Sequence, residues 1–350
     1  MILEKVRNKE YLNEAIKEFK KENVSADIQL LEKTVGALYL VESLVNSGLK
    51  FIFKGGTSLV LLLNEIKRFS VDVDIITEES KEKVDKCIKN IMESQDLFTR
   101  FEENKRENSA SQRMDLEHYK FFFTSVTDES EKYILLDIAF EENKYPEIIK
   151  REVANNRLKI RSNTMVWLPS IESILGDKLT VLAPSTTGIG YNDKKELELI
   201  KQLYDVDKLF NQAEDMKNIR ESFINIANRE IGYRKLKVNY GTVLEDIETF
   251  AKNIIYRENV DELEKITTGI RKFRNYMLEK KFLIDKEVLV AASKVVYLVY
   301  LIKNRSVKIE KYDGVYDFND KNIPSKYIKK LKVIKKINLE AYYYIIKSLE

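Results

Sequence analysis

Hydrophobic positions follow two different periodicities along the chain. In the first 48 residues they recur every three or four positions, which predicts two helices. The second helix is the clearer one, with an apolar face from Ile28 to Val45. The pattern then predicts, in order, a strand at 49–56, a helix at 57–67, a strand at 70–77 and a helix at 78–94.

Alternating aromatic and branched residues dominate the segment from 97 to 166. The stretches EHYKFFFTSVT and KYILLDIAFEE flank a turn-like TDES and predict a β-hairpin. After Leu168-Pro169 the strand signals stop and helical periodicity takes over. We therefore expect an α+β fold, with an N-terminal domain at 1–166 built on a small mixed β-sheet and an all-helical C-terminal domain at 167–350.

Composition narrows the class of protein only slightly. Lysine and arginine total 60 against 57 acidic residues, so the net charge of +3 gives no argument for nucleic acid. The single cysteine, Cys87, excludes an intramolecular disulfide and fits a reducing compartment. The N-terminal residues do not resemble a signal peptide, and the longest apolar run is too short for a bilayer. We expect a cytoplasmic protein without membrane contact.

A glycine pair lies between a predicted strand and a predicted helix in KGGTSLVLLLNEIKRFSVDVDI, residues 54–75. Gly55 and Gly56 would let the backbone approach a ligand and turn sharply into the helix. The first N–H groups of that helix, together with the Thr57 and Ser58 hydroxyls, would then face a phosphate. A Gly-Gly pair alone, however, usually indicates only a turn.

Two aspartates end the same stretch. Asp72 and Asp74 alternate with Val71, Val73 and Ile75, so a strand would place both carboxylates on one face and the apolar residues in the core. Carboxylates this close repel each other unless a cation lies between them, and Mg²⁺ is commonly shared between carboxylates and substrate phosphates. A D-x-D alone is often solvated surface, but its order and spacing after the glycine pair favour a metal–nucleotide site.

The two motifs together resemble those of a known family. Gly-Gly/Ser, a helix and then D-x-D on a strand are similar to the signature of the DNA polymerase β-type nucleotidyltransferase superfamily. The fuller form, F-K-G-G-T-S-L followed by K-R-F-S-V-D-V-D-I, resembles the AbiEii/AbiGii toxin branch. Lys54 to Leu59 and Arg68 to Asp74 meet every fixed position of that branch.

The resemblance implies an Mg²⁺-dependent enzyme that transfers a nucleoside monophosphate from an NTP and releases pyrophosphate. It also implies a toxin of a type IV toxin–antitoxin or abortive-infection system, with an RNA acceptor, tRNA above all, and a DNA-binding antitoxin encoded alongside. Two alternatives remain open at this point. One is a non-catalytic nucleotide-binding regulatory module, against which the intact D-x-D argues. The other is a nucleotidyltransferase for a small molecule such as an antibiotic.

A third carboxylate commonly completes the metal site of polymerase-type enzymes. Asp137 lies between Leu136 and Ile138 on a predicted apolar strand, and a buried aspartate there would need compensation. We therefore expect Asp137 to join Asp72 and Asp74 as a metal ligand, the alternative being a solvent-facing position. The only histidine, His118, is expected to be an exposed strand residue rather than a catalyst.

The helical part adds two candidates through the resemblance. Gly176-Asp177-Lys178-Leu179-Thr180 is similar to the family's D-K-L-x-A-L helix, which implies that Lys178 binds the triphosphate beside Gly55, Gly56, Thr57, Ser58 and Arg68. Asp205 matches a later acidic position and would either orient Lys178 or accept a proton from the attacking hydroxyl. Gln202 stands where relatives carry Asp, so Asp207 is the near alternative.

The C-terminal segment SKYIKKLKVIKKINLEAYYYIIK combines lysines with tyrosines. The lysines from Lys326 to Lys336 and the aromatic rings could hold RNA through phosphate contacts and stacking. The alternative is a helix with one solvated lysine face and one packed aromatic face.

Overall fold

The structure, a computed structural model, describes residues 1–63, 67–104, 116–191, 194–278, 284–315 and 325–349. Contacts divide the chain into two compact units. The first unit comprises Met1–Asn143, Glu147–Ser170 and Tyr276–Lys280. The second comprises Lys144–Pro146, Ile171–Asn275 and Lys281–Glu350.

The first unit is built on one seven-stranded mixed sheet. Its α-helices in the described residues are α1 (Lys9–Glu22), α2 (Ile28–Asn46), α3 (Gly55–Leu62) and α4 (Lys81–Ser94). Its strands are β1 (Ile52–Lys54), β2 (Val73–Thr77), β3 (Arg100–Glu103), β4 (Leu116–Thr124), β5 (Glu131–Phe140), β6 (Ile148–Glu152) and β7 (Met165–Pro169). Their order in the sheet is β3-β4-β5-β2-β1-β7-β6.

The two faces of this sheet differ in character. Helix α2 packs against β2, β5 and β7, and Gly36 of α2 lies against the Ile134 side chain of β5. Ile134, Leu136 and Ile138 point to this apolar face and are buried. Alternation along a strand sends the intervening residues, Asp137 among them, to the opposite face. That opposite face carries the candidate site.

Local structure agrees with the sequence patterns in most places. Strands β4 and β5 form the predicted antiparallel hairpin. Strand β2 begins only at Val73, so Asp72 precedes it instead of lying on the strand. Helix α3 begins at Gly55 and ends at Leu62, whereas a helix at 57–67 was expected; residues 64–66 lie outside the described residues.

All regular elements in the described part of the second unit are helices. The α-helices are α5 (Ile171–Thr180), α6 (Glu196–Gln212), α7 (Met216–Tyr233), α8 (Tyr240–Tyr256), α9 (Val260–Phe273), α10 (Leu289–Lys303), α11 (Ile328–Ile337) and α12 (Leu339–Lys347). Gly176 lets α5 approach α7 closely, because a Cβ there would lie 2.5 Å from the Ile219 carbonyl oxygen. The predicted α+β class, with a mixed sheet followed by helices, is confirmed. Within the described ranges, no helix has the length and apolarity that crossing a membrane requires.

Candidate active site

Four polar side chains form a row across four neighbouring strands. Lys54 on β1 pairs in register with Asp74 on β2, Asp74 with Asp137 on β5, and Asp137 with His118 on β4. Paired residues point to the same side of a sheet, so all four lie on the face opposite α2. The structure therefore brings two of the three predicted metal-binding carboxylates next to each other, between a lysine and a histidine.

Asp74 lies against the first residue of helix α3. Gly55 has a φ of +77°, and a Cβ at this position would be 2.0 Å from Oδ2 of Asp74. Only glycine fits here, since any side chain would need a strained backbone and would displace the carboxylate. The N-terminus of a helix carries partial positive charge, which favours the negative carboxylate in this place. The glycine turn and the D-x-D strand thus meet in one site.

Alanine in place of Gly55 should disable the site while leaving the unit folded. The left-handed backbone costs about 1–2 kcal/mol for alanine, and the added methyl group also collides with Asp74. Gly48→Ala is the matched control, because Gly48 has a φ of +81° but no described atom within 4 Å of the added Cβ. We expect a loss of thermal stability in both variants, larger for Gly55→Ala because of the collision, but a fall in nucleotidyl transfer of at least about a hundredfold only for Gly55→Ala. Equal activities would show that Gly55 has no role beyond its backbone.

Gly56 allows the Arg68 side chain to lie against the same turn. A Cβ at Gly56 would be 2.9 Å from Nη2 of Arg68 and 2.8 Å from the Ser70 hydroxyl. Arg68 is buried, and its Nη1 donates a hydrogen bond to the Phe69 carbonyl at 3.0 Å. The guanidinium is therefore held in place beside the glycine pair.

Thr57 and Ser58 use their hydroxyls inside the protein. The Thr57 hydroxyl donates to the Asp72 carbonyl, and the Ser58 hydroxyl donates to the Gly55 carbonyl at 2.9 Å. Both residues are fully buried. These hydroxyls fix the turn and the segment before β2, which differs from the expectation that they face a phosphate.

His118 holds one oxygen of Asp137. Its Nδ1 lies 2.7 Å from Oδ1 of Asp137, and the exposed fractions of the two side chains are 8% and 26%. The expectation that His118 is exposed is therefore wrong. The contact between His118 and Asp137 could have been predicted from the hairpin. In a hairpin whose turn is centred between Thr127 and Asp128, residues at equal distances before and after the turn pair with each other, and His118 and Asp137 are such a pair.

Asp72 is exposed and lies near a lysine that the sequence patterns did not single out. Lys33 on α2 is half-buried, and burial lowers the pKa of its ammonium group although the attraction of Asp72 opposes this shift. The two charges therefore interact, although α2 packs on the sheet face opposite the Asp74–Asp137 row. Asp72 differs in this respect from Asp74, which belongs to the central row.

The oxygen donors fit a hard divalent cation. Among the described residues, no group of three or more His, Cys, Asp or Glu side chains is gathered tightly enough to enclose a metal ion. Mg²⁺ does not require such a cage, because proteins usually bind it through one or two carboxylates while water and substrate phosphates complete the octahedron. The neighbouring pair Asp74 and Asp137 meets that requirement, and Asp72 lies two residues from Asp74.

A buried ion pair dominates the predicted site of the second unit. Nζ of Lys178 on α5 lies 2.8 Å from Oδ2 of Asp205 on α6, and the exposed fractions of the side chains are 5% and 1%. Lys178 also donates to the Gln202 side chain at 2.9 Å. Asp207, the alternative to Asp205, instead contacts Lys294 at 2.8 Å.

Comparison with known proteins identifies the class. The family model described as nucleotidyl transferase AbiEii toxin, type IV TA system, matches residues 38–283. Because this match covers more than half of the chain, the protein belongs to the AbiEii family of nucleotidyltransferase toxins, and the resemblance seen in the motifs is confirmed. It is a nucleotidyltransferase, and membership implies a nucleotide substrate and an antitoxin partner.

Two solved structures are similar to the chain. The crystal structure of JHP933 from Helicobacter pylori shares 16% identity and has a TM-score of 0.43, with 80% of this chain and 94% of that chain covered. A candidate nucleotidyltransferase from H. pylori shares 14% identity and has a TM-score of 0.44, with coverages of 79% and 94%. Among curated proteins, none matched the chain.

Proposed function

We propose that this nucleotidyltransferase uses Mg²⁺ to transfer a nucleoside monophosphate from an NTP to an RNA acceptor, specifically a tRNA. The observation that carries the proposal is the row of Asp74 and Asp137 on adjacent strands, with the Asp74 carboxylate against the N-terminus of α3. Helix N-termini favour phosphates, and paired carboxylates favour the cation that accompanies them. Phosphate and cation would therefore be bound side by side.

Each candidate residue takes one role in this proposal. Asp74 and Asp137, with Asp72, would hold the cation, which would neutralise phosphate charge and stabilise the leaving pyrophosphate. The Gly55-Gly56 turn and Arg68 would bind phosphate oxygens. His118 would orient Asp137 through its 2.7 Å contact, as partners of metal-binding groups commonly do.

Lys178 would bind the triphosphate, so the helical part of the chain, 167–350, contributes to the nucleotide site while 1–166 forms the polymerase β-like domain. In the reaction, an acceptor hydroxyl oxygen would bond to the α-phosphorus, the bond from that phosphorus to pyrophosphate would break, and the hydroxyl proton would pass to water. Asp205 is almost fully buried at 2.8 Å from Lys178. This contact favours an orienting role for Asp205 over that of proton acceptor, because the carboxylate oxygen already accepts a hydrogen bond from the Lys178 ammonium group.

A labelling experiment tests the proposal. The protein is incubated with Mg²⁺, total cellular RNA and, in turn, each of the four NTPs labelled at the α-phosphate. Label in RNA of tRNA size supports the proposal, provided that Asp74→Asn removes it. Label in a small molecule would instead show that the acceptor is a small molecule and not RNA. NTP binding without transfer would overturn the enzymatic proposal.

The partner in this proposal is a cognate DNA-binding antitoxin encoded alongside the toxin. The family places the chain in a type IV toxin–antitoxin system. Co-expression offers a simple measurement: growth arrest by the wild-type chain should be relieved by the neighbouring gene product. Arrest that persists would exclude that product as the antitoxin.

The C-terminal lysines and tyrosines have separate environments. Tyr342, Tyr343 and Tyr344 on α12 are buried, and Tyr327 is stacked on Tyr256 with ring centres 3.9 Å apart. These rings belong to the packing of the second unit and do not form an exposed stacking surface. Most lysines of α11, in contrast, are exposed. For this segment we therefore propose RNA binding through phosphate contacts of the lysines alone, without stacking on the tyrosines.

Replacing three of the exposed lysines tests that hypothesis. If Lys329, Lys332 and Lys336 contact phosphates of a single strand, changing all three to glutamine should weaken RNA binding and reduce its salt slope by about two units. The control changes the exposed lysines 217, 235 and 237 to glutamine and removes the same charge. Equal salt slopes in fluorescence-anisotropy titrations of the two triple variants would show that α11 has no direct contact with RNA.

A further inference from the structure

Trp167 is the only tryptophan of the chain and is 42% exposed, although it lies in the middle of strand β7. It pairs in register with Ile52 of β1 and with Lys150 of β6. Nζ of Lys150 lies 4.9 Å from the centre of the indole ring. A large aromatic ring beside a lysine is the combination that holds single-stranded nucleic acid, through stacking and phosphate contact.

The ring lies on the same sheet face as the carboxylate row. Ile52 lies two residues before Lys54 and pairs with Ile76, which lies two residues after Asp74. With strands about 4.8 Å apart and a rise of about 3.3 Å per residue, the Cα atoms of Trp167 and Asp74 are roughly 12 Å apart. This distance lies within the reach of a nucleotide chain bound at the carboxylates.

A cavity of about 310 Å³ opens beside Trp167, where β2 ends and β1 begins. Ile76 and Trp167 form part of its apolar wall, and its polar lining includes Lys50, Glu78, Glu79 and Asn143. Because the lining has two carboxylates and only one lysine, its net charge is negative and disfavours a phosphate inside the cavity. A neutral planar ring with N–H donors suits it better, since carboxylates and the Asn143 amide can bond to its edge.

We propose that Trp167 and this cavity hold a nucleobase of the acceptor RNA, stacked on the indole face that Lys150 leaves uncovered, with Lys150 contacting the adjoining phosphate. This inference rests on the proposed transfer to RNA. It adds the site at which a base of the acceptor is bound. The occupant is a base of the acceptor strand rather than of the incoming NTP. The glycine turn and the carboxylates that would hold the NTP phosphates are not among the residues that line this cavity.

The single tryptophan makes stacking directly measurable. Its fluorescence, excited where tyrosine does not absorb, is recorded in Mg²⁺ without NTP while a short single-stranded RNA is added. Stacking should quench the emission, and ribose 5-phosphate, which lacks a base, should leave it unchanged. Quenching by ribose 5-phosphate, or none by RNA that anisotropy shows to be bound, would overturn the proposal. Equal quenching by an NTP alone would also overturn it, by assigning the cavity to the incoming nucleotide.

Kinetics provide the second test. Trp167→Leu should raise the KM for RNA between roughly fivefold and a hundredfold, as expected for one lost stacked base, and leave the KM for NTP unchanged. Trp167→Phe should recover part of the loss because a smaller ring still stacks. Met165→Leu is the control, since Met165 is 46% exposed on the same strand and face. An unchanged KM for RNA in Trp167→Leu would contradict the proposal.

The outcomes separate this inference from the function on which it rests. If the wild-type protein transfers no label to RNA, the proposed function has failed. If the wild type labels RNA and depends on Asp74, but Trp167→Leu matches Met165→Leu, only the assignment of the base-binding cavity has failed.

Discussion

Asparagine in place of Asp74 should reduce nucleotidyl transfer by at least about a thousandfold and leave the first unit folded. An amide coordinates Mg²⁺ poorly, and loss of several kcal/mol of transition-state stabilisation corresponds to this factor. The fold should tolerate the change, because Val73 and Ile75 on either side keep their buried positions. The variant loses a favourable interaction with the N-terminus of α3, which lowers the unfolding free energy. It also loses the repulsion between Asp74 and Asp137, which raises it, so the net change should be no more than about 1 kcal/mol.

The control for this variant is Glu103→Gln, which removes one exposed carboxylate from β3 of the same sheet. Transfer of labelled nucleotide, thermal unfolding and growth on expression are compared for both proteins. We expect Glu103→Gln to match the wild type in all three. Growth arrest by Asp74→Asn at wild-type strength, in a protein shown to be expressed and folded, would contradict the role of the carboxylate row.

Residues close in sequence account for what could be predicted. The alternation in EHYKFFF and KYILLDIAF, with a polar turn between them, is a local signal and defines the β4–β5 hairpin. The meeting of Gly55 with Asp74 follows from a strand, a helix and a second strand joined by short segments. The family motifs added what periodicity cannot supply, since Lys178 and Asp205 lie 27 residues apart on different helices, yet 2.8 Å apart in space.

Tertiary packing determined the features that could not be predicted. Thr57 and Ser58 look suited to a phosphate by type and position, but whether a hydroxyl faces a ligand depends on which carbonyl lies nearby. The tyrosines of α12 suggested stacking with RNA, whereas Tyr344 packs edge-on against Phe210 of α6, with ring centres 5.2 Å apart. An aromatic run has the same pattern in a core as on a binding surface.

Removing only one partner of the Lys178–Asp205 pair should strongly destabilise the protein. Lys178→Met leaves the Asp205 carboxylate buried without its cation, which typically costs about 3–5 kcal/mol, a large part of a typical unfolding free energy of about 5–15 kcal/mol. Asp205→Asn should be similarly destabilising, because it leaves the ammonium group buried. Inactivity of either single variant is therefore ambiguous, since it follows from misfolding as readily as from a lost nucleotide contact.

The double variant Lys178→Met with Asp205→Asn removes this ambiguity. Replacing a buried ion pair by neutral groups of similar volume is often close to neutral in stability, and Gln202 remains as a hydrogen-bonding neighbour for the asparagine. We expect the thermal midpoint to return to within a few degrees of wild type. Activity should not return, because the cation proposed to bind the triphosphate is missing. If activity recovers together with stability, Lys178 serves the fold and not the nucleotide.

A second buried pair in the same unit supplies the matched control. Lys294 contacts Asp207 at 2.8 Å and Glu340 at 2.9 Å. Burial opposes the ionisation of Asp207, but Lys294 and Lys208 hold the pKa of that carboxyl below its ordinary value. This pair is therefore charged, as the proposal requires of Lys178 and Asp205, but the family motif does not include it.

The double variant Lys294→Met with Asp207→Asn should fold and retain NTP binding, whereas the Lys178 and Asp205 double variant should fold and lose it. Equal NTP affinities, measured by calorimetry on the two double variants, would remove Lys178 from the nucleotide site.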